Sequence, residues 1–214
     1  MLLGGCPQRN AVETAIARRG GACPAVTRAS TVDLRVGYPG RWLSRATSAG
    51  PERYAWTYDT TGAPFGYLFD GQVVRSFVGA GQVTEDSSPT APLRSHARFT
   101  AVMLLAALQG AGTVVEPTGV AFADAPEPYR LTFDAAGLLA RVDGPLEFPG
   151  LPPAIVTAAL SDYRAEAGLL LPHRIRYTSA DQELADEQVT DYCIYPQGLP
   201  DTAFRAVSGL PSCP

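Results

Sequence analysis

The chain has 214 residues, 46% hydrophobic and 18% charged, enough apolar content for one substantial core and too much for a disordered or fibrous chain. A net charge of -4 and a pI near 5.2 argue against a nucleic-acid partner, since phosphate binding is built on clustered positive charge. All 17 basic residues are arginine, which with abundant Ala, Gly and Pro reflects a GC-rich genome rather than a selected function.

At the N-terminus, Leu3-Gly4-Gly5-Cys6 has the form of a lipobox: an aliphatic residue, two small residues and a cysteine to be acylated. Only Met1-Leu2 precedes it, short of the apolar run of roughly 7–15 residues that a secretory signal needs. Residues 1–9 are read as a residual lipoprotein signal or linker, with Cys6 as the lipidation site and a membrane surface as the partner of that anchor. Asn10 followed by Glu13 has the form of an N-cap with its reciprocal N3 partner. Val12, Ala15 and Ile16 make an apolar stripe and Gly20-Gly21 stops it, which predicts a helix over Ala11–Arg19.

Alternation of Val32, Leu34, Val36 and Tyr38 with polar residues predicts a strand, turned at Pro39-Gly40 into a second strand from Arg41 to about Thr47. Tyr54, Trp56 and Tyr58 share one face of a third strand. Phe65, Tyr67 and Phe69 share one face of a fourth, which turns at Asp70-Gly71 into Gln72–Val78. The polar stretch from Gly79 to Leu93 is expected as a loop. Ser95 then caps a helix over His96–Gln109 whose Phe99, Val102, Met103, Leu104, Leu105 and Leu108 make it apolar nearly all round, the mark of a helix buried on both sides. The apolar run from Phe99 to Leu108 falls short of the roughly 18 residues needed to span a bilayer. Strands are predicted at Thr113–Glu116, Tyr129–Asp134 and Leu138–Asp143, with no internal repeat and no linker.

Four cysteines, Cys6, Cys23, Cys193 and Cys213, allow three complete pairings. With Cys6 lipidated, Cys193 with Cys213 is the favoured disulfide, because the intervening Pro- and Gly-rich stretch can turn back; buried unpaired thiols are the alternative. Catalytic chemistry is sparse. His96 and His173 have no ligand at metal spacing, and nucleophile-elbow, phosphate-loop and dinucleotide motifs are missing. No catalytic residue, metal or cofactor is assigned. His173 with Asp162 or Glu166 is the one acid–base arrangement the sequence offers, against a bland role for His173 as a hydrogen-bonded surface or rim residue at a strand start.

The last third carries the clearest pattern: Leu160-Ser161-Asp162-Tyr163-Arg164, Leu171-Pro172-His173-Arg174-Ile175, Val189-Thr190-Asp191-Tyr192-Cys193-Ile194, and the tail Leu199-Pro200-Asp201-Thr202-Ala203-Phe204. Ile175 and Tyr177 alternate with Arg174, Arg176 and Thr178, placing apolar groups on one sheet face. This segment resembles the end of bacterial envelope proteins with the lipoprotein-carrier fold, the family of LolA and LolB. With the N-terminal helix, the aromatic hairpins and the central apolar helix, the resemblance extends over most of Asn10 to Arg205.

It implies a single domain over 10–205 with a C-terminal tail at 206–214, mainly β (α+β). The expected architecture is a strongly curved antiparallel sheet forming an incomplete barrel, with both helices on its concave side. It implies a periplasmic or outer-membrane-anchored protein with a lipid or lipoprotein acyl chain as partner, although no Arg matches the carriers' functional positions and lipoprotein transport itself does not carry over. Tyr54, Trp56, Tyr58, Phe65, Tyr67, Phe69, Phe99, Met103 and Leu104 form the expected ligand-binding set, with the loop from Gly79 to Leu93 as a movable rim. An enzyme using the same cavity and a structural lipoprotein with a filled core are the alternatives.

Overall fold

The computed structural model describes residues 11–21, 23–59, 64–79, 82–86, 90–105, 108, 113–116, 118–125, 127–148 and 151–211. Helix α1 spans Ala11–Arg19. It is followed by β1 Ala25–Leu34, β2 Gly40–Ala49, β3 Arg53–Asp59, β4 Phe65–Phe69, β5 Val74–Val78 and β6 Gln82–Asp86. Helix α2 is Ala91–Met103. Then come β7 Thr113–Glu116, β8 Gly119–Phe122, β9 Tyr129–Phe133, β10 Leu139–Leu146, β11 Ala154–Glu166, β12 Leu169–Ser179 and β13 Gln182–Ile194, with 3-10 turns at Asp201–Phe204 and Val207–Gly209.

Among the described residues these strands make one antiparallel sheet in the order β6-β5-β4-β3-β2-β1-β13-β12-β11-β10-β9-β8-β7. Two meanders therefore meet where β1 pairs β13, and β6 and β7 remain as edges, so the sheet is not closed. Helix α2 packs on β2 and β3 of one meander and on β10 of the other. Only a sheet bent around the helix can bring strands so far apart in the order to one helix, and the architecture is the incomplete barrel expected from the sequence.

The period of two sorts side chains between the faces. Val26, Val32, Leu34, Tyr58, Val142, Ala158, Leu160, Ile175, Tyr177 and Ala185 build the concave core with Phe99, Val102 and Met103 of α2 and Val12 and Ala15 of α1. On the convex side Ala25, Ala49, Ala55, Leu68 and Phe77 are covered by Ala203 and Phe204, flanked by Leu199, Val207 and Leu210. The chain up to Leu210 thus packs on the sheet rather than trailing from it. Over β10 to β13 the convex side is instead charged, with pairs such as Arg141–Asp143 and Arg174–Asp186.

Several elements depart from the sequence expectation. β1 begins at Ala25 and ends at Leu34 rather than running from Val32 to Tyr38, because its first half puts Arg28 and Ser30 in phase with the apolar positions and hides the alternation. The expected loop contains β6, paired with β5 from Val74↔Asp86 to Val78↔Gln82; its polarity is that of an edge strand, which avoids apolar side chains. Residues 80, 81 and 87–89 of that loop lie outside the described residues. α2 starts at Ala91, before Ser95, because Pro92 is tolerated in a first helical turn. It stops at Met103, and Leu105 adopts a left-handed conformation (φ 48°) that turns the buried Leu104, Leu105 and Leu108 into the core. The short strand β8 has no counterpart in the sequence reading.

Candidate functional site

The aromatic faces of β3 and β4 lie directly across from one another: Tyr54 faces Phe69, Trp56 faces Tyr67 and Tyr58 faces Phe65. Trp56 and Tyr58 meet edge to face at 4.4 Å between ring centroids, and Trp42 of β2 adds a contact to Tyr58 at 5.8 Å. From α2, the His96 ring lies nearly parallel over Tyr54 and Trp56, at 5.8 Å from each. Its Nε2 is 2.7 Å from the Glu147 carbonyl oxygen, and burial pushes its pKa down to about 4.

Between this face, α2 and the β12–β13 pair lies a cavity of about 50 Å³. Of the nine residues expected to bind ligand, Tyr54, Trp56, Tyr58 and Phe99 line it; Phe148, Leu146 and His96 complete the greasy wall. Phe65 instead packs on Trp42 and Tyr58, and Tyr67 stacks on Trp56 from outside. Phe69 is fully buried under the Arg94 guanidinium, 5.8 Å from its ring centre. Met103 and Leu104, each 2% exposed, are core residues. α2 ends at Met103, and Leu104 beyond it packs into the same core without lining the cavity. Water needs roughly 10–15 Å³ of such space, so the cavity has room for a few waters, far below the roughly 300–1,000 Å³ of ligand pockets.

One end of the wall is charged, which the sequence reading missed. Arg28 of β1 and Glu187 of β13 are buried side by side: Arg28 Nε donates to Glu187 Oε1 at 2.8 Å and Nη2 to Oε2 at 3.5 Å. Ser30 Oγ donates to Oε1 at 2.8 Å and the Tyr177 hydroxyl to Oε2 at 2.9 Å. Burial pushes the Glu187 carboxyl up, but the Arg28 charge and the hydrogen bonds from Arg28, Ser30 and Tyr177 outweigh it and hold it below the usual carboxylate range. The only signal in the sequence was phase: Arg28 sits two and four residues from Val26 and Val32 on an otherwise apolar face. Glu187 gave none.

The helix over the cavity is tied near its middle and just beyond its C-terminal end. Arg98, 8% exposed, donates to Glu52 at 2.8 Å and to Asp124 at 2.7 Å while its guanidinium covers Phe122 at 4.8 Å. At the far end Arg19 Nη2 donates to the Leu105 carbonyl at 3.3 Å. Glu52 belongs to the β2–β3 turn and Asp124 follows β8, so the Arg98 clamp bridges the two meanders across α2.

The acid–base arrangement around His173 takes a different form from the one expected. His173 lies in the middle of β12, 3% exposed, rather than at a rim. Its Nδ1 is 3.0 Å from the Val189 carbonyl; Nε2 is 2.9 Å from Glu166 Oε1 but off the line of a hydrogen bond, and Asp162 pairs with Arg164. Among the described residues no group of three metal-ligating side chains occurs, and no helix is long and apolar enough to cross a membrane. Cys23 is buried and free, and the expected pairing of Cys193 with Cys213 falls partly outside the described residues. Cys6 and Cys213 both lie there.

No family model matches the chain, and no curated protein matches it. Solved structures do. A LolA superfamily protein from Nitrosomonas europaea superposes with a TM-score of 0.50 over 90% of this chain and 96% of its own, at 11% identity. An outer membrane lipoprotein-sorting protein domain from Vibrio parahaemolyticus gives 0.51 over 92% and 96%, at 10% identity. A DUF1329 family protein from Desulfovibrio piger gives 0.50 over 91% and 95%, also at 10% identity. Together with the open antiparallel sheet wrapped around α2, these likenesses show that the chain has the LolA-type fold.

Proposed function

We propose that this protein is a bacterial envelope binding protein that shelters an acyl chain between the β3–β4 aromatic face and α2, in the periplasm or held to a membrane through Cys6. The observation that carries the reading is how the concave face is covered. Among the described residues helices α2 and α1, rather than a second sheet, close it, and α2 is tied by Arg98, whose partners Glu52 and Asp124 are about half exposed. The likeness to an outer membrane lipoprotein-sorting domain supports the same class of role.

At about 50 Å³ the cavity is that of a closed form, and a ligand enters by lifting α2 off the aromatic face. Burying about 15 methylenes at about 0.8 kcal/mol each offers roughly 12 kcal/mol, ample to offset the ordering cost and the broken Arg98 pairs. The test is native mass spectrometry of protein purified from its own host, before and after solvent extraction, followed by uptake of palmitate, palmitoyl esters and phospholipid. A ligand-sized mass lost on extraction and regained on uptake is the expected result. A clean apo mass with no uptake of any of these would mean that the concave face is an ordinary filled core.

A further inference from the structure

Arg19, the last residue of α1, is a buried cation without a counter-charge. It is 4% exposed, and of its nitrogens Nη2 donates to the Gly21 carbonyl at 3.0 Å and to the Leu105 carbonyl at 3.3 Å. Nε and Nη1 are buried with no hydrogen-bond partner, so among the described residues no carboxylate meets the guanidinium. Burial works against its charge, yet an arginine keeps its proton in a protein. The groups that act on it most strongly are Cys23, Tyr163 and Tyr192, and burial pushes all three away from their anionic forms. Each already donates its hydrogen to a backbone carbonyl, that of Ala25, Leu139 and Pro172 in turn. The stretches beside α1 and α2 that lie outside the described residues, 1–10, 106–107 and 109–112, contain no Asp or Glu. Donors and a charge buried in this way are costly and uncommon, and they mark the place of an anion.

The space beside the guanidinium says which kind. A cavity of about 10 Å³ adjoins it and shares no lining residue with the aromatic cavity. Its walls are Arg19, Tyr163 and the apolar side chains of Ala15, Met103, Leu105, Leu138, Leu139 and Pro172. That is the room of one water-sized particle, too little for a carboxylate, a phosphate or a lipid headgroup. A water there would satisfy an N–H but leave the charge as it was, and would bring two hydrogens of its own to walls that are largely hydrocarbon. A monatomic anion brings charge and no donor. Chloride, large and weakly hydrated, is the common one that loses least on leaving water for such walls.

We propose that Arg19 and this cavity form a chloride site, in which the anion accepts from the guanidinium N–H groups that have no protein acceptor and joins the end of α1 to the turn after α2 and to β10 and β12. The ion completes the core where α1 brings a cation into it. The site stands apart from the acyl-chain reading and holds equally in a protein whose concave face binds no lipid.

The test uses the full-length protein at pH 7.5 in mixtures of sodium chloride and sodium gluconate held at one ionic strength. The expected result is a urea midpoint that rises with the chloride fraction, the folding constant growing about tenfold for each tenfold rise in chloride above its dissociation constant. Bromide should replace chloride, and in crystals soaked in sodium bromide its anomalous scattering should give a peak against the Arg19 guanidinium. In Arg19→Met neither the chloride response nor the peak should remain. A native midpoint unmoved by chloride, a response of the same size in Arg19→Met, or native crystals without a bromide peak at Arg19 each overturns the proposal. The bromide measurement needs only the native chain, so it decides the question even where Arg19→Met does not fold.

Discussion

Glu187→Met gives the most direct measure of the polar end of the cavity. The carboxylate it removes accepts from Arg28 at 2.8 and 3.5 Å, from Ser30 at 2.8 Å and from Tyr177 at 2.9 Å. Breaking one partner out of a buried pair strands the other charge, at about 3–5 kcal/mol. Arg28→Met strands Glu187 at a similar cost, so the single variants sum to roughly 6–10 kcal/mol. In Arg28→Met/Glu187→Met no charge is stranded; the Ser30 and Tyr177 hydroxyls lose their acceptor at about 1 kcal/mol each, so the double variant should cost about 2 kcal/mol. The interaction energy of the cycle is then about 4 kcal/mol or more. Urea unfolding followed by circular dichroism, with Trp42 and Trp56 fluorescence as a second probe, measures all four proteins. A double variant whose cost equals the sum of the singles within about 0.5 kcal/mol would refute the reasoning, since the two groups would then not share a low-dielectric site.

Three further outcomes are expected. Ala46→Leu fills the cavity from β2, beside Trp56; it should abolish uptake of the acyl probes while costing no more than about 1–3 kcal/mol in urea. Arg98→Met removes the clamp to Glu52 and Asp124 at about 1–2 kcal/mol, and hydrogen exchange should quicken over 91–103 with little change in β11 to β13. Stability should also fall on acidification in two stages. His96 titrates near 4 when folded against 6.5 unfolded, so its contribution is complete above about 6.5 and is lost as the pH falls towards 4. The Glu187 carboxyl, depressed in the fold, contributes fully above the unfolded value near 4.3 and is lost below it. Urea midpoints between pH 7 and 3 should show both stages, with His96→Phe flattening the first; because the ring is partly exposed, that stage should amount to no more than about 3 kcal/mol.

The elements most legible in the sequence were those whose period is set by burial alone. α1, stopped at Gly20-Gly21, lies over Ala11–Arg19 as expected, its expected cap Asn10 falling outside the described residues, and the Tyr54 to Tyr58 and Phe65 to Phe69 strands share the concave face. Legibility failed where a polar residue took an inward position or an apolar one left its element. Arg28 and Ser30 concealed the first half of β1 because only the distant Glu187 makes their burial tolerable. Leu104, Leu105 and Leu108 continued the apolar run past the end of α2, since sequence cannot distinguish burial in a helix from burial in the turn after it. The crowding of aromatics that suggested an acyl-sized pocket is taken up in part by ring-on-ring packing across β3 and β4.

The meeting of β1 with β13 also governs how the chain reaches this fold. Every other strand pair joins consecutive segments, so each meander can zip up from hairpins that close short loops. The β1–β13 ladder must instead bring together residues as distant as Arg28 and Glu187, which stand 159 apart in sequence. That closure is the late and entropically demanding step, and it has to choose a register between two strands that would otherwise slide. A slip of one residue would turn Arg28 to the convex face and leave Glu187 alone inside. The ion pair thus acts as an assembly key: it makes misregistered joins of the two meanders costly at the moment they form, and Arg28→Met/Glu187→Met should refold more heterogeneously than the native chain even where its equilibrium stability is close.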